Sequence, residues 1–424
     1  VETTTPAAMW WLGGMRLRGG EWGVSWVRTA HHRRMHCGNA ELLQSLLRDW
    51  RGVQAQGRMG ELVRATEGVS DPGLLGPAGY AVLMASMPEE AASILHRALQ
   101  ASDPGPGQAN STYLEILYHL GTAQFHAGSV EDSMRSFENA FLLAEPTSRE
   151  FLAIGQRFAA LLLEHHDRIL KSKEEGWEEN ADVVVSRAID VFQAVRMHHP
   201  EDLVCTDGLA NALTRLGRFE EALELCKTVC QREPSFPFSW VTRAICLQRL
   251  GQFLDAVSVL CHCLDLLENL LKSADAPDPR YILLVQEVLF RRGFCYMELE
   301  KASNAEEDYS LFLELMEADM KSGLYHHPPH DYISALVQRA RCYFFQEKFQ
   351  EAEKDLTVCI RHDPGNIDAW WGRSTVRTKL GNKSGAEEDM EVAEECMAQS
   401  PGKREVEWKT KEELDEEYAQ KLSE

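Results

Sequence analysis

The chain is expected to fold as an all-α solenoid of antiparallel helix pairs, and three observations lead there. Helix-length apolar segments recur with a 34-residue spacing, first over 203–236 and again from Pro237. A glycine breaks each unit near its middle, Gly217 and then Gly251, and Pro234 closes the first unit. Small and bulky residues fall at fixed places in each unit, as stacked helix pairs need to keep one continuous core.

In the unit from Leu203, Ala210 is at position 8, Leu213 at 11, Gly217 at 15, Ala222 at 20 and Cys226 at 24. The unit from Pro237 places Trp240 at 4, Ala244 at 8, Leu247 at 11, Gly251 at 15, Ala256 at 20 and Leu260 at 24. A copy from Gln286 has Leu289, Gly293, Tyr296, Ala305 and Tyr309 in register. One from Ile333 has Leu336, Ala340, Tyr343, Ala352, Leu356 and Pro364, and one from Ile367 has Trp370, Ser374, Gly381, Ala386, Met390 and Ala393. Upstream, a copy from Leu114 shows Leu117, Gly121, Gly128, Ser133, Phe137 and Ala140. A start at Ile169 matches only in its second half, through Ala188, Phe192, Val195 and Pro200. The most divergent, from Pro72, keeps Gly79, Ala91, Leu95 and Ala98.

These positions resemble the tetratricopeptide repeat (TPR), and the resemblance covers roughly residues 72–400. It implies a right-handed superhelical solenoid in which small residues let paired helices approach and bulky ones fill the space between neighbours. Starts at 203, 237, 286, 333 and 367 are spaced 34, 49, 47 and 34, so insertions of 15 and 13 residues precede Gln286 and Ile333. Both begin as helical continuations and then meet proline, so the flanking helices are expected to be longer. The organisation is then a basic, Trp-rich arm over 1–40 and a helical lead-in with one degenerate repeat over 41–110. Divergent repeats with an insertion follow over 111–202, then a five-repeat array over 203–400 with insertions near 271–285 and 320–332. A charged helix over 401–424 is expected to cap the array, since a solenoid end needs a polar outer face.

Charge separates the arm from the rest. Residues 1–40 hold five arginines against two acids, a balance of +3, which leaves −25 for 41–424 out of the total of −22. So acidic a body disfavours nucleic acid as a partner. Arg-rich, acid-poor N-termini have the composition of organelle transit peptides. The Val start also fits a processed or incomplete product, so the arm reads either as a presequence remnant or as a docking element. In the second reading Trp10, Trp11, Trp22, Trp26 and Arg28 engage a partner or a membrane surface. No run of residues is long and apolar enough for a transmembrane span. The eleven scattered cysteines lack framework spacing and point to a reducing intracellular compartment.

Chemistry-bearing motifs are sparse. Cys226, Cys230 and the Cys261-His262-Cys263 run have no paired C-x-x-C, and Cys226 and Cys263 take core positions of the repeat. His326, His327 and His330 share a Pro-rich loop that reads as solvated rather than as a metal site. Phosphate-loop, dinucleotide, nucleophile-elbow and zincin motifs do not occur. No enzyme, cofactor or metal is therefore expected.

The resemblance implies that the first helix of each repeat lines a concave groove through positions 2, 5, 6, 9, 12 and 13. Those positions supply Arg215, Phe238, Arg249, Phe290, Arg291, Phe294, Arg341, Phe344, Phe345, Trp371 and Lys379 as candidate partner-binding residues. Arginine and aromatic side chains dominate interface hot spots. They equally serve inter-repeat packing and surface ion pairs, and both readings stay open here. A clamp for chaperone C-terminal carboxylates is disfavoured. Its five places hold Asp207, Asn211, Thr242, Glu287 and Arg291, and two of these would repel the ligand. The expected function is a non-catalytic scaffold or accessory subunit in a multi-subunit assembly, mitochondrial by the composition of the arm. The alternative is a soluble cytosolic adaptor that takes a short peptide reversibly.

Overall fold

The structure is a computed structural model of the chain. It describes residues 38–102, 110–172, 177–273, 279–323 and 328–399. The arm residues 1–37, the proposed cap over 401–424 and the central parts of both insertions lie outside the described residues. Among the described residues every regular element is a helix. The chain divides into two compact units whose boundary falls between Arg218 and Phe219, inside the repeat from Leu203.

The first unit begins with three short helices, α1 (Gly38–Arg48), α2 (Trp50–Ala55) and α3 (Met59–Ala65). α1 and α3 pack on α4 (Pro72–Met84), burying Leu43, Leu62 and Leu75 completely. Pairs then follow: α4 with α5 (Pro88–Ala101), α6 (Ser111–His126) with α7 (Val130–Leu143), and α8 (Arg149–Ser172) with α9 (Trp177–His198). α10 (Leu203–Arg215) packs on α8 and α9. The first helices of successive repeats touch one another, α4 on α6, α6 on α8 and α8 on α10. α8 resolves the off-pattern start at Ile169. This repeat opens at Arg149, and its first helix runs 24 residues. An insertion within a helix shifts the template without breaking the pair, so only Ala188, Phe192 and Val195 on α9 kept their register, and all three are buried.

In the second unit α11 (Phe219–Arg232) packs on α12 (Pro237–Arg249). The pairs are α12 with α13 (Phe253–Ser273), α14 (Pro279–Glu298) with α15 (Ala302–Lys321), α16 (His330–Phe345) with α17 (Phe349–His362), and α18 (Ile367–Lys379) with α19 (Lys383–Gln399). α13, α14 and α15 run 21, 20 and 20 residues, against 13 for α12 and 14 for α11. The extra turns belong to the two insertions.

Three repeat positions explain why these segments pair. Position 15 turns the chain with positive φ at Gly128, Gly217, Gly251 and Gly381, the four glycines expected there. The same left-handed turn occurs at Ser86, Glu300 and Glu347, which occupy position 15 of their repeats without being glycine. Position 20 sits where the paired helices meet: Ala222, Ala256, Ala305 and Ala352 are fully buried and Ala386 nearly so. Position 8 lies under the bulky residue of position 24. A Cβ on Gly79, Gly121 or Gly293 would come within 2.4, 2.7 and 3.0 Å of Leu95, Phe137 and Tyr309 respectively. Entry to the first helices is fixed by side-chain caps, Asp202 on the Cys205 amide at 2.7 Å and Asn366 on the Ala369 amide at 3.0 Å.

Candidate functional site

The first helices of the second unit, α12, α14, α16 and α18, contact one another in turn and present one continuous face. Ten of the eleven candidate groove residues lie on them, and Arg215 belongs to the first unit. The structure sorts them by what they already touch. Arg249 and Lys379 are exposed. Arg341 is half-buried and donates from Nη1 to Gln338 Oε1 at 3.2 Å. Phe294, Phe345 and Trp371 are half-buried, with Phe294 6.4 Å from the Phe253 ring. Phe238 lies among Phe236, Tyr281 and the Arg280 guanidinium. These seven side chains keep surface to offer.

The other four are engaged within the chain. Phe344 is 1% exposed and stands in the core against Phe349, so it does not belong to a groove. Phe290 packs between Tyr309 and Phe312, both at 5.5 Å. Arg291 is held by Glu287, Nη2 to Oε1 at 2.9 Å, with both side chains nearly enclosed. Arg215 is bound by Asp167 and by Asn211 Oδ1, the latter at 2.9 Å. Periodicity identifies a residue's face but not the acid that neutralises it, which is why the sequence leaves the groove and ion-pair readings of these cations both open. Beside the Arg291 pair, burial pushes the Asp331 carboxyl above its ordinary range, with His330 pulling the other way. The arm residues Trp10, Trp11, Trp22, Trp26 and Arg28 lie outside the described residues.

A second set of side chains escaped the sequence reading. Arg292, Arg339 and Arg373 stand at position 7 of three successive repeats, and Asp308, Asp355 and Asp389 at position 23. Each arginine donates Nε and Nη2 to its aspartate at 2.6–2.9 Å. Its Nη1 reaches position 25 of the preceding repeat, Cys261, Ser310 or Thr357, at 3.3–3.4 Å. One guanidinium thus joins three helices. Burial nevertheless pushes the Asp308 and Asp355 carboxyls up, outweighing the arginine that pulls them down. The sequence signal was an Arg and an Asp sixteen residues apart, three times in register.

The first unit's own inner positions were not among the candidates, although the register from Leu114 already places those on α6. On α6 they carry Glu115, Tyr118, His119, Thr122 and His126, and α8 brings Arg157. Burial, then the Arg157 charge, holds His126 below its ordinary range, and burial with Arg168 does the same to His165. Cys226, Cys230 and Cys263 are buried as expected, whereas Cys261 is half-exposed and accepts from Arg292. Among the described residues no helix is long and apolar enough to cross a membrane, and no group of three or more His, Cys, Asp or Glu side chains could hold a metal ion.

The repeat geometry is that of a TPR-like array: antiparallel pairs, a left-handed turn at position 15, and small residues at 8 and 20 beneath bulky ones. No family model matches the chain, and neither does any curated protein. Solved structures do. A tetratricopeptide repeat protein from Parabacteroides merdae is 13% identical, with 76% of this chain and 97% of that chain covered at a TM-score of 0.45. YrrB, described as a TPR protein with an unusual peptide-binding site, is 16% identical, covering 49% and 93% at 0.38. PilW, described as a widely conserved type IV pilus biogenesis factor, is 13% identical, covering 57% and 92% at 0.42. Similarity at this level concerns the fold alone, and the fold class rests on the chain's own 34-residue register.

Proposed function

We propose that the chain is a non-catalytic scaffold or accessory subunit that holds a protein segment against the first helices of its second unit, within a multi-subunit mitochondrial assembly. The observation that carries this reading is the row of Phe294, Phe345 and Trp371 left half-exposed on one face together with Arg249, Arg341 and Lys379. Aromatic and cationic side chains on one face form the kind of surface that anchors an acidic or aromatic segment. The cationic, Trp-rich arm adds a second docking element toward a partner subunit or a membrane surface. Its composition supports the mitochondrial placement.

Two variants test the reading in native extract. Deleting residues 1–40, and separately changing Arg249 and Arg341 to Glu, is expected to release the chain from a large complex on size-exclusion chromatography. Full co-elution of both variants at physiological salt would overturn the groove and arm assignments. A wild-type chain that elutes alone would instead support the reversible cytosolic adaptor.

A further inference from the structure

Arg243 occupies position 7 of its repeat, as Arg292, Arg339 and Arg373 do in theirs, but its acceptors are gone. Val259 stands where the other repeats place the aspartate. Lys227, itself bound to Glu224 at 2.6 Å, stands at the preceding repeat's position 25. Arg243 makes no hydrogen bond or ion pair with a described residue, and its Nε is buried without a partner. The guanidinium lies 5.4 Å from the Trp240 ring, and the His262 ring lies 4.4 Å from the same ring at a tilt of 59°. The repeat from Ile367 shows the intact version: Arg373 lies 4.9 Å from Trp370 while Asp389 holds its fork.

We infer that Arg243 is the seat for a carboxylate supplied from outside, an Asp or Glu side chain of a protein partner. A half-buried guanidinium with no acceptor in its own repeat keeps its Nε unsatisfied and its charge unpaired, which is costly. The chain meets that need with its own aspartate three times and omits it once. Its terminal Nη1 and Nη2 can still pair a carboxylate in bidentate fashion, with the Trp240 ring beside it. Position 7 lies outside the inner-face set, so this contact is separate from the groove. It rests on the proposed function only in taking the partner to be a protein.

The probe is a fluorescein-labelled peptide with a Glu-Asp-Glu core, and its Gln-Asn-Gln counterpart is the control, both titrated against the full chain by fluorescence anisotropy. The acidic peptide is expected to bind and the neutral one not. Arg243→Met and Val259→Asp should each weaken binding at least tenfold, the second because it fills the seat from within, which should also raise the melting temperature. Arg243→Lys, which keeps the charge and loses the fork, should be intermediate and stands as the second variant if Val259→Asp does not fold. Undiminished binding in Arg243→Met, undiminished binding in a folded Val259→Asp, or no binding of the acidic peptide to the wild type overturns the seat. Loss in Arg249→Glu with retention in Arg243→Met would place the peptide in the groove, leaving the proposed function standing and this inference rejected.

Discussion

Arg339 reaches sixteen residues along the chain to Asp355, Nε to Oδ2 at 2.7 Å and Nη2 to Oδ1 at 2.9 Å, so that the two helices of its repeat share one bidentate ion pair. The side chains are 21% and 11% exposed, which removes most of the solvent that would otherwise compete. Because Nη1 also donates to Ser310 on the preceding pair, the contact couples repeats as well as helices.

Breaking one side of this pair is expected to cost more than removing both. Asp355→Ala leaves the guanidinium enclosed and uncompensated, and should lower stability by about 2–4 kcal/mol. The double change Arg339→Met with Asp355→Leu should stay within about 1 kcal/mol of wild type, since apolar residues of similar volume replace a desolvated pair. Urea denaturation of the three proteins decides it, and an Asp355→Ala variant as stable as wild type would mean that the pair is solvated.

Tyr309 is the opposite case, a buried polar atom without a partner. Its ring is fully buried over Gly293, and its hydroxyl finds no hydrogen bond. Tyr309→Phe should therefore stabilise the second unit by about 1 kcal/mol, because it deletes an unsatisfied group without changing the packing. A lower melting temperature in this variant would show that the hydroxyl is hydrogen-bonded in solution.

The helical pairing, the turn glycines and the buried alanines were legible in the sequence because each follows from a steric requirement that one residue type meets. The candidate site was legible only in part. Periodicity placed Arg291, Arg215 and Phe344 on the right helices. It could not show that Glu287 and Asp167 hold the first two, or that the Phe344 ring turns into the core. The Arg–Asp pairs were written in the sequence but show only when positions 7 and 23 are read together, whereas the template looks within one residue column at a time.

Position 15 gives a test in which sequence and conformation disagree. Glu300 and Glu347 adopt φ of 56° and 58°, a region that costs a residue with a Cβ roughly 1–2 kcal/mol. Glycine there removes the strain but frees the unfolded chain, which takes back about 0.4–1 kcal/mol. Glu300→Gly and Glu347→Gly should thus each stabilise by about 0.5–1 kcal/mol, whereas Gly251→Ala at the equivalent turn should destabilise by a similar amount. Thermal melts of the three variants check the signs, and the turn assignment fails if the signs are reversed.

The last expectation concerns pH and the neighbours Glu115 and His119 on α6. Burial, then the charge of Glu150, pushes the Glu115 carboxyl from 4.5 up to about 7. Burial pulls His119, 4.9 Å from the Tyr80 ring and 5.2 Å from Tyr118, from 6.5 down to about 4. The folded chain keeps a proton on Glu115 that the unfolded chain releases, so this contribution is complete below pH 4.5 and lost as pH rises to about 7. His119 works the other way: its contribution is complete above pH 6.5 and lost as pH falls toward 4. The two slopes oppose each other over nearly the same window, so wild type should conceal both. Glu115→Gln should gain on wild type as pH rises from 4.5 to 7, and His119→Gln should gain on it as pH falls from 6.5 to 4. The difference in melting temperature from wild type, followed across pH 4–8, reads both signs. Flat difference curves for both variants would mean that the two side chains are hydrated and that α6 does not enclose them.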